Sequence, residues 1–200
     1  LLVERFGITL TQVGILGGLM VFSSSVMQPA YGYLSDRFHT RMFTVLAPAV
    51  AGVFISLLGL APSYGWLLVL VLLGGTGVAA FHPQASSRAA LGVTEGRAAA
   101  MAFFVSSGTL GYALGPAYFT LITERAGLAG TWLGAIPGVL LSVLLFVALA
   151  PAPVAASHRR GGFQWEPLRA VWRPLALLYM IVFLRSILQI VFGQFLPLYL

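Results

Sequence analysis

Gly32-Tyr33-Leu34-Ser35-Asp36-Arg37-Phe38-His39-Thr40-Arg41 sets one acid and two arginines within ten residues, between apolar runs at roughly 9–33 and 43–61. Three charges that close together do not sit in hydrocarbon, so this stretch marks a membrane surface and the runs beside it mark crossing segments. The same alternation continues along the chain. Further apolar runs lie at roughly 66–86, 98–121, 131–150 and 174–198, each about the length a helix needs to span a bilayer. The reading is an all-α, polytopic membrane protein of six spans.

Composition agrees. The 200 residues are 59% hydrophobic and 8% charged, with a mean hydropathy of +0.95; a soluble domain carries about a quarter charged residues. Twenty-three glycines suit helices that approach closely in lipid. The absence of cysteine excludes a disulfide scaffold, and the alternating segments of about ten residues that build a transmembrane barrel are missing.

The net charge of +6 is carried by arginines in short loops rather than along one exposed helix, which argues against nucleic acid as a partner. Alternate loops on one side hold Arg37, Arg41, Arg88, Arg97, Arg159, Arg160, Arg169 and Arg173; the other side holds Arg5 and Arg125. The positive-inside rule makes the first group cytoplasmic. The stretch 151–173, richer in Pro and Arg, reads as a cytoplasmic connector with an interfacial helix around Trp165–Trp172. Residue 1 is Leu, and Leu200 closes an apolar run with no polar flank, so an internal piece of a longer chain is expected.

Polar residues inside spans are the site candidates. Arg185 falls about 11 residues into its span, roughly 17 Å deep and near the midplane. There it must line a wet cavity or pair with a structural partner. His82 lies roughly 25 Å along an inward-running span, followed by Pro83, which kinks a helix and frees a carbonyl. It reads either as a proton carrier or as a hydrogen-bonded packing residue. Gln28 shares its depth, Gln84 follows it, and Gln189 stands one turn after Arg185. Ser107, Gly111 and Gly115 recur every fourth residue as one small face, with Pro116 after them. No intramembrane carboxylate, cysteine or His cluster supplies an enzyme, a metal site or a cofactor site.

The decapeptide resembles the motif between the second and third helices of the major facilitator superfamily, Gly-x-Leu-x-Asp-Arg-x-Gly-Arg-Arg/Lys. Gly32, Leu34, Asp36, Arg37 and Arg41 match, and His39 and Thr40 depart. The run Gly111-x-x-x-Gly115-Pro116 resembles the fifth-helix motif of proton-driven exporters, and Gly75 and Gly77 echo the fourth-helix pattern, with Val71 where many exporters have Arg. Phe81-His82-Pro83-x-x-Ser86-Ser87-Arg88, Gln28-Pro29-x-x-Gly32 and Leu184-Arg185-Ser186 resemble the fosmidomycin-resistance branch, some members of which carry an acid at the position of Gln84.

The resemblance implies a major-facilitator-type bundle covering family helices two to seven. Residues 1–150 would be the N-terminal half without its first helix, 151–173 the connector, and 174–200 the first helix of the second half. It implies secondary active export of a small molecule by alternating access, coupled to protons, by a monomer in a bacterial cytoplasmic membrane. Arg185, Gln189, Gln28, His82 and Gln84 would serve the substrate cavity and coupling. Gly32, Asp36, Arg37 and Arg41 would form the gate, Asp36 holding the two halves together when the protein faces outward. Ser107, Gly111, Gly115 and Pro116 would pack helices. Uptake of a small organic anion and a non-transporting receptor or scaffold stand as alternatives.

Topology is directly testable, because the chain has no cysteine of its own. A cysteine at His158→Cys should react only from the cytoplasm and one at Ala126→Cys only from outside. Labelling of Ala126→Cys from the cytoplasmic face would invert the arrangement.

Overall fold

The computed structural model describes residues 2–38, 40–90, 95–149 and 166–199, with the side chains of 36, 90, 167, 168, 189–191 and 193–199 excepted. Every regular element among them is helical. They are α1 (Leu2–Phe6), α2 (Leu10–Val26), α3 (Gln28–Phe38), α4 (Met42–Ser56), α5 (Tyr64–Ala90), α6 (Arg97–Ala126), α7 (Ala135–Ala148), α8 (Glu166–Ala170) and α9 (Trp172–Tyr199). Short 3-10 segments at Leu57–Leu60 and Leu128–Gly134 continue α4 and lead into α7. Among the described residues five stretches are long and apolar enough to cross a membrane: Leu10–Ser35, Met42–Leu60, Tyr64–Ala89, Arg97–Ala126 and Leu128–Ala148. The sixth expected span coincides with α9, a helix of 28 residues. The chain is a helical polytopic protein. It forms two compact units, residues 1–153 and 154–200, and most of the expected connector, 151–165, lies outside the described residues.

Two boundaries differ from the sequence reading. The first span is kinked at Met27, between α2 and α3, because Pro29 has no N–H to give; the Tyr31 N–H still reaches the Met27 carbonyl at 3.0 Å and carries the helix across the break. Gly32–Phe38 is then the end of α3 rather than loop, and α4 begins at Met42, so the described residues between them are Thr40 and Arg41 alone. The fifth span opens with a 3-10 segment in place of an α-helix.

Local chemistry explains the ends. Thr9 and Gln12 form a reciprocal capping box at the start of α2, with Gln12 N–H donating to Thr9 Oγ1 at 3.2 Å and Thr9 N–H to Gln12 Oε1 at 2.8 Å. Gly127, at φ +64°, stops α6 in a conformation that side chains resist. Within α4, Pro48 lacks the N–H that would continue the backbone ladder, and the next N–H, of Ala49, donates to Ser142 Oγ of α7 at 2.9 Å.

In the first unit α5 packs against α2 and α4, and α4 packs between α5 and α7. A buried apolar cluster of Ala61, Leu67 and Leu70 gathers Phe6, Leu16, Phe54 and Tyr64 around it. Elsewhere the helices meet through small residues, as expected where lipid supplies no hydrophobic drive. A Cβ on Gly75 would fall 1.8 Å from Ser23 Oγ, one on Gly77 would fall 2.6 Å from the Ala51 nitrogen, and one on Gly138 would fall 2.5 Å from the Pro48 carbonyl oxygen. By contrast α6 has no buried residue among its thirty.

Gly77→Ala should therefore force α4 and α5 apart, at a cost of about 1–3 kcal/mol. Gly65→Ala, whose Cβ meets nothing nearer than Ser63 Oγ at 3.8 Å, should cost far less. Thermal unfolding of the full-length protein compares them; equal melting temperatures would refute the close packing of α4 on α5.

Candidate functional site

A cavity of about 490 Å³ opens between α3, α5 and α6. Gln28, Pro29 and Gly32 line it from α3, His82, Pro83 and Ser86 from α5, and Met101, Phe104 and Val105 from α6. The prolines shape the walls. At Gly32 a Cβ would stand 3.6 Å from the Pro83 Cβ, an ordinary packing distance, so α3 and α5 are in contact there without requiring glycine. Ser86 Oγ donates to the Pro83 carbonyl at 3.1 Å, so its hydroxyl is already engaged within α5.

Two polar groups remain for a ligand. Gln28 Nε2 donates to the Ser24 carbonyl at 2.8 Å, and its Oε1 has no hydrogen-bond partner among the described residues. His82 is exposed, with the Phe81 ring edge-on to it at 6.1 Å; Phe81 in turn stacks on Phe104 at 6.5 Å. No carboxylate lines the cavity among the described residues. The arrangement offers an open, largely apolar surface with an amide oxygen and an imidazole for the polar end of a small molecule.

Gln84 lies elsewhere. It is buried, and its amide is fully engaged: Oε1 accepts from the Thr44 N–H at 2.9 Å and from Thr44 Oγ1, while Nε2 donates to Ser35 Oγ and the Thr40 carbonyl. At 100° per residue, Gln84 stands about 200° around α5 from His82, on another face from the cavity. Sequence reading placed it among the cavity residues and missed Ser35, Thr40 and Thr44. The one available signal was an amide buried in an apolar run, which must find several partners.

Of the motif 32–41, Gly32 lines the cavity, Arg37 is exposed in the last turn of α3, and the Asp36 side chain lies outside the described residues. Arg41 turns to α7: its guanidinium donates to the Leu149 carbonyl at the α7 C-terminus and sits 5.0 Å over the Phe146 ring. A cation there meets the negative end of the helix dipole.

The small face of α6 is open along its middle. Ser107 Oγ donates to the Phe104 carbonyl at 2.8 Å, and no described atom comes within 4 Å of a Cβ on Gly111 or Gly115. Pro116 lies inside the helix just above Tyr118 and Phe119, which tie α6 to the 3-10 segment before α7. In the second unit, Arg185 is exposed near the middle of α9, roughly 20 Å from either end. The Gln189 side chain lies outside the described residues.

Apolar helices of bilayer length, packed through small residues, make this a multi-pass integral membrane chain. The chain belongs to the Major Facilitator Superfamily, whose family model matches residues 1–200. It is 29% identical over 199 residues to the fosmidomycin resistance protein of Escherichia coli (strain K12), covering 98% of this chain and 47% of that one. The uncharacterized MFS-type transporter YfnC of Bacillus subtilis (strain 168) is 30% identical over 151 residues, covering 74% of this chain and 36% of that one. A Cupriavidus pinatubonensis protein named "Probable 4-methylmuconolactone transporter" is 30% identical over 148 residues, covering 71% of this chain and 34% of that one. The chain thus spans half or less of the length of these relatives. No solved structure matches it.

Arg41→Ala should loosen the α4–α7 contact by about 1.5–3 kcal/mol, the usual worth of a hydrogen bond to a charged group. The check is thermal unfolding beside transport in the full-length protein. An unchanged melting temperature with transport lost would assign Arg41 to the gate and not to this anchor.

Proposed function

We propose that the chain is part of a secondary active transporter that exports a small molecule by alternating access, using a proton gradient. The observation that carries this is the cavity, where Gln28 and His82 stand free among Pro29, Pro83, Met101 and Phe104. His82 is the one titratable side chain lining it among the described residues, which supports a coupling role. The name of the Escherichia coli relative, a resistance protein, favours export, and the bacterial relatives favour a bacterial cytoplasmic membrane. Residues 1–150 supply most of one half, 151–173 the connector and 174–200 the first helix of the other half. Within that frame Asp36 and Arg37 act at the gate, and Arg185 and Gln189 of α9 serve substrate handling. The small face of Ser107, Gly111 and Gly115 seats a further helix.

A second reading, uptake of a small organic anion, is favoured by a cavity lined by no carboxylate and by a mid-helix Arg185.

Flux in proteoliposomes made with the full-length protein tests both, its direction separating export from uptake and its response to a pH gradient reporting coupling. Arg185→Gln should leave insertion intact and lower transport about tenfold or more. Arg185→Lys should recover little if the contact is planar and bidentate. Normal transport by the Gln variant would remove Arg185 from the substrate path.

A further inference from the structure

We propose that Gln84 is the positioning residue of the α3–α4 turn: from α5 its amide holds Ser35, Thr40 and Thr44 in one closed set of hydrogen bonds, and so sets where the charged motif 32–41 is presented. This rests on the gating role proposed for that motif. The amide offers two acceptor sites and two donors, and all four are filled.

The partners are what make this more than a satisfied core amide. Arg41, the N-cap residue of α4, makes no side-chain cap. The Thr44 N–H is therefore one of the donors that a helix start leaves without an internal acceptor. Gln84 accepts it from another helix, doing from α5 what an N-cap side chain does within its own chain segment. On the other side, the Thr40 carbonyl belongs to the backbone of the turn itself, so the bond to it pins the main chain. Ser35, one turn before the end of α3, closes the set.

The next residue, Arg41, then reaches across to the Leu149 carbonyl of α7. The turn is anchored from α5 on one side and α7 on the other. Because His82, Pro83 and Ser86 line the cavity on another face of α5, a displacement of that helix by substrate is carried to the turn as a rigid unit.

Two substitutions in the full-length protein separate the clasp from a simple cap. Gln84→Glu keeps the length of the side chain and its acceptor for Thr44, where a carboxylate is favoured by the helix dipole; the Ser35 hydroxyl can turn to donate to it, but nothing donates to the Thr40 carbonyl. Gln84→Met removes both functions. Both should raise backbone hydrogen exchange over residues 38–44 and lower turnover about tenfold, with substrate affinity changed by less than about twofold. Adding Asp36→Asn should lower turnover little further, since residues acting through one element are not additive.

Thr44→Val, which removes only the hydroxyl bond, should shift exchange in the same direction by less, and serves if the larger changes do not fold. Wild-type exchange and turnover in Gln84→Glu would reduce Gln84 to a cap for α4 and overturn the proposal. Fully additive losses with Asp36→Asn would do the same. A wild type that does not transport would count against the gating reading alone, because hydrogen exchange still reports on the clasp.

Discussion

Hydrocarbon offers a backbone no hydrogen-bond partner, so each N–H or C=O that a helix releases must be met by protein. The bond at Pro48 follows from that requirement, and those at the ends of α4 and α7 follow from the equivalent need of polar groups that packing closes off from water. Pro48 interrupts α4, and Ser142 of α7 takes the Ala49 N–H. At the start of α4 the Arg41 side chain makes no cap; Thr40 Oγ1 accepts the Met42 N–H, and Gln84 of α5 accepts the Thr44 N–H. The end of α7 leaves carbonyls open, and Arg41 of α4 fills one. In each case the irregularity of one helix is repaired by a neighbour. The places where the secondary structure is imperfect are thus the places where α4, α5 and α7 are tied together, and regular stretches such as the middle of α6 carry no such tie among the described residues.

That economy divides the polar residues by use. Ser35, Thr44, Gln84 and Ser142 are buried; Gln84 and Ser142 bond backbone groups of other segments, and the Ser35 and Thr44 hydroxyls complete the Gln84 amide's partners. Gln28 and His82 keep free hydrogen-bonding capacity, and they border the face of α5 that meets α3 and α6 in a cavity. Two residues apart on α5, His82 and Gln84 do opposite work: one is open to whatever enters the cavity, the other is closed upon the protein. A helix carrying both is well placed to connect occupancy of the cavity with the charged turn.

Much of the fold was legible because it depends on quantities that add along the chain. Twenty consecutive apolar residues register as a span whatever their neighbours, and arginines in alternate loops sum to an orientation. The kink at Met27 followed from Pro29 and was there to be read, yet the apolar count runs straight through it. The 3-10 segments at Leu57–Leu60 and Leu128–Gly134 gave no periodic sign, because four or seven residues fit either helix. At the site, Gln28 and His82 were found as polar residues at matching depth, and the structure does bring them to one cavity. The partners of Gln84 and Arg41 were not legible. Gln84 to Thr44 spans 40 positions and Arg41 to Leu149 spans 108, and a carbonyl oxygen is the same acceptor at every residue.

Where α4 meets α7, a Cβ on Gly52 would stand 3.3 Å from the Gly138 Cα, so main chain lies almost directly on main chain. Glycine is the smallest residue there is. Every replacement at Gly138 adds atoms where a Cβ would already fall 2.5 Å from the Pro48 carbonyl oxygen, so variation on that side of the seam has a single direction. It can be loosened by mutation but never drawn tighter, and any change that improves the bond between these helices has to arise at residues such as Ser142 or Arg41 that reach around it.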